Sequence, residues 1–383
     1  MNHAQQSDAP ASAGPVKYRG QVVYIYGYDI AYDMSDQPVN SLLGQPLYRY
    51  YAGSDKRSPR ELFFYRPEMV RLPTVRRTTP HGPVDVQFSV KVFRVGAISI
   101  SVRVPFEVSS GDELVQYHDL RFSEGSLHEE VQQLAQQVLA ELAPYCIRPV
   151  SQIKDEEAYT VFCIEAPLLN DAGRPLAGER WLEANRSQIA ALLTQEPDAA
   201  SLSMQEAMES TGRYLSYYEG DLSVVDWDAA LLVDQPENFD DILHVAELAN
   251  VQLAELEAYD VLLDDALPRA YRDLRKRRLF RGTDILRSLR EIRIDLARLS
   301  DETSNITKFF GDWHLARIYK QLSSRFHIDS WRRVIDEKLK TLDGLYQLQR
   351  QDQMNWWMMI LEATIVLLFI IDLIVLVMLP LGH

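Results

Sequence analysis

The stretch LEATIVLLFIIDLIVLVML, residues 361–379, constrains the fold of this chain most, because so long an apolar run is typical of a membrane-spanning helix. A helix of the 24 residues that start at Trp356 extends about 36 Å, more than the ~30 Å hydrocarbon core of a bilayer. Trp356 and Trp357 stand where interfacial aromatic side chains occur in membrane proteins. We therefore predict one transmembrane helix at 354–379, with the two tryptophans as its interfacial anchor and a tail at 380–383.

Two carboxylates, Glu362 and Asp372, interrupt this apolar run. A carboxylate in the hydrocarbon costs about 2.5–3.5 kcal/mol on insertion scales, so each acid should face protein or be protonated. On a helix the two side chains are roughly 80° apart around the axis. Three interpretations are open: both acids are tolerated, they make polar contacts in helix–helix assembly, or they line an ion path.

The charges that flank the run predict its orientation. Lys338, Lys340 and Arg350 precede it, whereas the tail PLGH has no Lys or Arg. Because Lys and Arg remain on the cytoplasmic side, we expect the large N-terminal part in the cytoplasm and insertion as a single-pass, tail-anchored protein. Residues 1–17 are polar and small, which predicts a disordered tail and not a signal peptide.

Residues 18–235 alternate β-rich runs with helical patterns, which predicts an α+β or α/β cytoplasmic domain. Two β-rich runs at 84–108 flank Arg94–Gly96 and predict a hairpin. Ser126, with Glu129 three residues later, predicts the N-cap of a helix. The other predicted strands lie at 20–34, 61–73, 158–166 and 223–233.

From 236 to 353, apolar residues at three- and four-residue spacing predict long helices. One run begins at Ile242, and a second keeps an a/d pattern between Ile285 and Trp313. A third begins near residues 329–331, includes Ile335 and leads into the apolar helix. The three would form a stalk. An antiparallel helical hairpin that packs on itself satisfies these patterns, and so does a homo-oligomeric coiled coil.

The stalk contains a concentrated basic run, RDLRKRRLFRG, although the whole chain has a net charge of −15. Its cations are Arg272, Arg275, Lys276, Arg277, Arg278 and Arg281. Such a run can contact membrane lipid, a protein partner or RNA. Of these partners, nucleic acid is the least expected, because bases stack on aromatic side chains and Phe280 is the one aromatic residue in the run. A solvated helix face is the alternative.

The sequence contains no GxSxG, no HExxH and no phosphate-binding glycine loop, and its histidines are scattered. We therefore expect neither catalysis nor a cofactor. One acidic stretch suggests a metal: Asp226 and Asp228 would share one face of the strand predicted at 223–233 and could bind Mg²⁺ or Ca²⁺. A turn with an exposed strand edge is the alternative.

The end of the chain resembles the required-for-meiotic-nuclear-division family, an uncharacterised-domain family of bacteria and mitochondria. Its members end with a Leu–Glu pair that opens a single apolar span, with a second acid ten residues on, and this chain has Leu361–Glu362 and Asp372. Segments 239–265 and 90–104 are similar in placement to the family's helix and early strand pair. The resemblance implies a membrane-anchored, oligomeric scaffold or adaptor without a known enzymatic activity. Without a presequence, we expect it in a bacterial inner membrane.

The predicted architecture also resembles CorA-type magnesium channels, which join an α/β cytoplasmic domain to long stalk helices and C-terminal membrane helices. Those channels have two spans with a Gly-Met-Asn motif between them. Here Met354–Asn355 precedes a single predicted span and lacks the glycine. The analogy gives an alternative function, an ion-handling membrane protein in which Glu362 and Asp372 line a seam between protomers.

Overall fold

The computed structural model describes residues 17–50, 67–153, 156–170, 173–275, 294 and 313–378. The chain forms two compact units. We call Met1–Leu256 with Glu302–Asp329 the sheet unit, and Glu257–Asp301 with Ser330–His383 the helical unit.

The described residues form sixteen strands and seven α-helices. In chain order the strands are β1 (Tyr18–Asp29), β2 (Ala31–Met34), β3 (Ser41–Leu42), β4 (Gln45–Pro46), β5 (Tyr48–Arg49), β6 (Glu68–Arg71), β7 (Val75–Thr79), β8 (Gly82–Val92), β9 (Ala97–Val108), β10 (Arg121–Phe122), β11 (Gly125–Ser126), β12 (Cys146–Pro149), β13 (Glu157–Glu165), β14 (Tyr214–Leu215), β15 (Leu222–Val225) and β16 (Ala229–Asp234). The helices are α1 (Leu127–Leu142), α2 (Gly178–Ala184), α3 (Arg186–Leu193), α4 (Met204–Thr211), α5 (Pro236–Arg275), α6 (Trp313–Arg325) and α7 (Ile328–Met378). Short 3-10 helices lie at Gly111–Tyr117, Ala143–Tyr145 and Ala199–Ser201.

A ten-stranded sheet forms the centre of the sheet unit. Its strand order is β14-β15-β16-β13-β1-β9-β8-β6-β5, with β7 also paired to β8. The pairs in this sheet are antiparallel except β13 with β16, which run parallel. The predicted mixed α/β class is therefore confirmed.

Both faces of the central strands are covered, because side chains alternate across a strand and both sets are buried. On one face Tyr24, Tyr26 and Val102 join a hydrophobic core with residues of α1 and α3. On the other face α5 lies close enough that a Cβ added to Gly27 in β1 would lie 3.1 Å from the Asn250 amide nitrogen. The central part of the sheet is thus the middle of three layers.

Several local predictions are confirmed. β8 and β9 form the predicted hairpin, and Gly96 in its turn has φ +85°. Ser126 caps α1 reciprocally: its Oγ accepts from the Glu129 amide at 3.2 Å, and its own amide donates to Glu129 Oε2 at 3.1 Å. The strand predicted at 158–166 is β13.

One predicted strand is wrong. The run at 223–233 is two antiparallel strands, β15 and β16, joined by a turn at residues 226–228. The chain reverses there because the Asp226 amide donates to the Ala229 carbonyl at 2.9 Å. Of the other predicted strands, 20–34 divides into β1 and β2, and the part of 61–73 that is described contains β6.

Helix α5 begins at Pro236, a residue well suited to the first turn of a helix, and continues for 40 residues. The helical pattern predicted from Ile242 is therefore confirmed. From residue 239 to 256 most side chains are buried around the whole circumference, and these include the polar Glu247, Asn250 and Gln252. The a/d run between Ile285 and Trp313 lies outside the described residues apart from its last residue and Ile294.

In the helical unit, α5 and α7 are linked by an ion cluster. Lys338 Nζ lies 2.7 Å from Asp260 Oδ1 and 2.5 Å from Asp264 Oδ1. Apolar side chains of both helices, Leu263, Ala270, Ile335, Leu339 and Leu342, are buried. Helix α7 continues without interruption for 51 residues, so the helix predicted near Ile335 does run into the apolar segment. The coiled-coil stalk stays a prediction.

Candidate functional site

The apolar part of α7 is the first candidate site. Among the described residues, Met354–Val375 is the one helix long and apolar enough to cross a membrane. It has 22 residues and a mean hydropathy of 2.6, and none of it is buried. The Trp356 and Trp357 side chains are exposed, with ring centroids 5.6 Å apart. The predicted span is therefore a helix that could enter a bilayer, and the two tryptophans lie at its start.

Glu362 and Asp372 are both exposed on this helix. Their ten-residue interval places them about 15 Å apart along the axis. The nearby Thr364 hydroxyl returns to the helix backbone and donates to the Ile360 carbonyl at 2.7 Å. Within the described residues, neither acid has a hydrogen bond or ion pair, so any partner would come from outside this part of the chain.

The two aspartates predicted to bind a metal lie in the β15–β16 turn and do not share a strand face. Asp226 is 7% exposed, and its Oδ1 lies 3.4 Å from Arg325 Nη1. Burial, and then the charge of Asp226, raise the pKa of Asp228. In the described part of the chain, no three His, Cys, Asp or Glu side chains are grouped as metal ligands. The predicted geometry of this pair is thus corrected, because Asp226 is an ion-pair partner in a turn.

The predicted basic run is described only at its start. Arg272 is exposed near the end of α5, and Arg275 is the last residue of that helix. Lys276, Arg277, Arg278 and Arg281 lie outside the described residues.

Sequence reasoning missed a charged cluster between the sheet and α5. We call Tyr50, Lys91, Ser101, His244 and Glu247 the buried ion cluster. Glu247 accepts hydrogen bonds from Lys91 Nζ and Ser101 Oγ, and these three residues are at most 4% exposed. Lys91 Nζ also lies 3.8 Å from the centroid of the Tyr50 ring, a cation–π contact. His244 Nδ1 lies 3.8 Å from Glu247 Oε2, too far for a hydrogen bond.

The pKa values in this cluster follow from burial and charge together. Burial alone would raise the pKa of Glu247, but Lys91 and His244 outweigh it and lower that pKa to about 2. Burial lowers the pKa of Lys91, while Glu247 opposes that change. Burial also lowers the pKa of His244. Lys91 and Glu247 therefore each oppose the effect that burial has on the pKa of the other, and burial of His244 favours its neutral form.

This arrangement links α5 to the sheet, and Lys91, Ser101, His244 and Glu247 are all buried among the described residues. A buried ion pair adds little to the free energy of unfolding compared with apolar residues of similar volume at both positions. Removing one partner is strongly destabilising, because it leaves the other charge buried and unpaired. The same face holds a second pair, Arg103 Nη2 with Asp240 Oδ1 at 2.6 Å. The signal in the sequence was weak: Ser89, Lys91, Ser99, Ser101 and Arg103 alternate along β8 and β9, a pattern that also suits a solvated face.

The described residues define a mixed α/β protein with one apolar helix that is long enough to cross a membrane, and they contain no metal-binding group of acids, Cys or His. The chain belongs to the family described as "Uncharacterized protein MJ0711, N-terminal domain", whose model matches residues 19–240. That match spans β1 to β16 and ends at the beginning of α5.

One relative is the "Uncharacterized protein MJ0711" of Methanocaldococcus jannaschii. It is 24% identical over 247 residues, which cover 64% of this chain and 73% of the relative. No solved structure matches the chain. The family is therefore an uncharacterised one, and the region that matches its model contains the sheet and helices α1 to α4.

Proposed function

We propose that the protein is a membrane scaffold or adaptor, in which α7 holds a folded α/β domain at a bilayer and no reaction is catalysed. The observation that carries the proposal is the apolar helix Met354–Val375, of which no part is buried by the described residues. Burying one large aliphatic or aromatic side chain is worth about 1.5–3 kcal/mol, so an exposed helix of this composition favours lipid or another protein over water.

The flanking charges support a single pass with the N-terminal bulk in the cytoplasm. Lys338 and Lys340 lie in the part of α7 that precedes the apolar segment. Cations on the N-terminal side of the apolar segment favour retention of that side of the chain in the cytoplasm. In a bacterium, the N-terminal domain would then lie at the inner face of the inner membrane. The resemblance of the chain's end to the required-for-meiotic-nuclear-division family supports the same arrangement.

Assembly through the membrane helix is the second part of the proposal. Glu362 and Asp372 are exposed on a helix that otherwise suits hydrocarbon. Carboxylates at membrane depth are stabilised by polar contacts with neighbouring helices. A homo-oligomer supplies such contacts, and so does a partner protein. The ion-handling alternative assigns the same two acids to a seam that conducts cations.

Membrane fractionation tests the anchor. We expect the full-length protein to stay with membranes after alkaline carbonate extraction. Leu368→Arg combined with Ile371→Arg places two charges near the middle of the helix, and each costs about 2.5–3.5 kcal/mol on insertion into the bilayer. This variant should be released from the membrane. Leu368→Ile with Ile371→Leu is the matched control and should remain bound. Extraction of the unaltered protein, or membrane retention of the arginine variant, contradicts the anchor.

Native mass spectrometry in lipid nanodiscs tests assembly. We expect a defined oligomer for the full-length protein and a changed stoichiometry for Glu362→Gln with Asp372→Asn. A monomer, or an unchanged oligomer, contradicts assembly through these acids. Cation flux into liposomes above that of empty vesicles, lost in the same variant, favours the ion-handling alternative.

A further inference from the structure

A cavity of about 330 Å³ lies beside α6 in the sheet unit. The helix contributes five residues to its wall at three- and four-residue spacing, so one face of α6 lines the cavity. These residues are Arg317, Lys320, Gln321, Ser324 and Arg325. Positions with this spacing commonly hold apolar residues that pack on a neighbour, but here all five are cationic or polar.

The opposite face of α6 anchors the helix. Ile318, Tyr319 and Leu322 are at most 2% exposed, and the Tyr319 hydroxyl donates to the Gln252 side chain. Arg317 and Lys320 are exposed. Arg317 and Lys320 are therefore held in place by the packing of the other face and are not themselves needed for that packing.

The described carboxylates neutralise only part of the positive charge of the cavity. Arg325 Nη1 lies 3.4 Å from Asp226 Oδ1 and 3.7 Å from Glu209 Oε1. Within the described ranges, no carboxylate pairs with Arg317, with Lys320 or with Arg213 on the opposite wall. The whole chain has 55 Asp and Glu against 40 Lys and Arg, yet three cations around this cavity have no carboxylate partner among the described residues.

Hydrogen-bonding groups in the wall are also unsatisfied. Arg325 Nε and the Gln321 Oε1 atom are buried without a hydrogen-bond partner among the described residues. Arg325 Nε is a donor, and the Gln321 amide presents a donor NH₂ when it is turned over. Arg213 Nη1 makes one contact, donating to Ser324 Oγ at 3.3 Å, which leaves its remaining donors for a ligand.

We infer that this cavity binds a phosphate group, carried by a soluble phosphorylated compound or by the headgroup of an anionic phospholipid. A phosphate group has several acceptor oxygens and a negative charge that arginine recognises with paired hydrogen bonds. Leu215 and Val225 form an apolar part of the wall, which suits the carbon skeleton of such a ligand. The volume lies within the ~300–1,000 Å³ range of small-molecule sites. This site goes beyond the proposed membrane function and does not depend on it.

The first arm of the test uses a soluble probe. Inorganic pyrophosphate is titrated into the full-length protein in nanodiscs of neutral lipid, and binding is followed by calorimetry and by the melting temperature. We expect saturable binding that weakens as salt increases. Arg317→Gln with Lys320→Gln should weaken binding at least tenfold.

A matched control removes the same charges elsewhere. Arg121→Gln with Lys340→Gln changes two exposed cations that are outside the cavity wall, and it should bind pyrophosphate as the unaltered protein does. Because Arg317 and Lys320 are exposed, their replacement should leave the unliganded melting temperature unchanged or raise it. Arg317→Lys with Lys320→Arg keeps the charge and should retain most of the affinity.

The second arm separates the two sources of phosphate. Short-chain phosphatidylglycerol is titrated in the same way, with short-chain phosphatidylcholine as the uncharged comparison. Cavity-dependent binding of phosphatidylglycerol without pyrophosphate binding assigns the site to a lipid headgroup, and the reverse assigns it to a soluble compound. Absence of binding in both arms overturns the inference. So does binding that Arg317→Gln with Lys320→Gln weakens no more than the control does.

Discussion

Replacing Lys91 by Met tests whether the buried ion cluster acts as a pair. Methionine keeps most of the side-chain volume but removes the ammonium group that donates to Glu247. Glu247, 2% exposed, is then left with Ser101 and a histidine 3.8 Å away. Removing one partner of a buried pair typically destabilises by about 3–5 kcal/mol. We expect a loss of that size in the free energy of unfolding at pH 8, measured by urea denaturation followed by tryptophan fluorescence.

The double variant gives the sharper result. Lys91→Met with Glu247→Gln removes both charges, and the glutamine oxygen can still accept from Ser101. We expect it to be at least ~2 kcal/mol more stable than Lys91→Met alone, because no uncompensated charge remains. Lys340→Met, an exposed lysine four residues from Asp336, should change stability by no more than about 0.5 kcal/mol.

The contribution of Glu247 to the free energy of unfolding should depend on pH in opposite directions in the unaltered protein and in Lys91→Met. In the unaltered protein the pKa of Glu247 is lowered to about 2, so its stabilisation is complete above its unfolded pKa and is lost as pH falls toward 2. In Lys91→Met, Glu247 or His244 takes up a proton in the folded state. The destabilisation should therefore be smaller at pH 5 than at pH 8, by up to about 1.4 kcal/mol per pH unit. A double variant no more stable than Lys91→Met, or a pH-independent loss in Lys91→Met, would refute the reasoning.

Three further variants test local features by the same denaturation assay. Ser126→Ala should destabilise by about 1 kcal/mol, since it removes the oxygen that caps α1; an unchanged midpoint would contradict the cap. Gly96→Ala should cost at least about 1–3 kcal/mol, because φ is +85° and the new Cβ would lie 2.0 Å from the Ala31 carbonyl oxygen. Burial raises the pKa of Asp29 to about 7, so its stability contribution falls as pH rises from about 4 to 7. Asp29→Asn should therefore stabilise by about 1–3 kcal/mol at pH 8 and by less at pH 5, and an equal effect at both pH values would contradict this.

Local signals predicted the parts of the fold that depend on neighbours in sequence. The hairpin around Arg94–Gly96 and the Ser126 cap each need only a few consecutive residues. The single strand predicted at 223–233 was wrong, because the local signal for a turn within this segment was weak. Most of its residues favour a strand, and the turn contains no glycine or proline, so Asp226 and Asp228 were the only turn-forming residues there. A backbone hydrogen bond between Asp226 and Ala229 closes the turn.

The buried ion cluster could not be predicted from either segment alone. The polar alternation of Ser99, Ser101 and Arg103 in β9 resembles a solvated face, and Glu247 in α5 resembles an ordinary helix acid. The two sets become complementary only when α5 covers the sheet, nearly 150 residues later in the chain. The basic face of α6 was missed similarly, because its opposite wall comes from Arg213 and the β14–β15 pair.

The position of β1 has a consequence for how the protein is made. β1 is the first described strand, yet in the sheet it lies between β9 and β13, whose residues come roughly 70 to 145 positions later. At translation rates of about 5–20 residues per second, a β-rich strand therefore waits several seconds for its first partner and longer for its second. Any fragment that keeps β1 but stops before Glu157 leaves one of its edges without a neighbouring strand, and such edges recruit other chains.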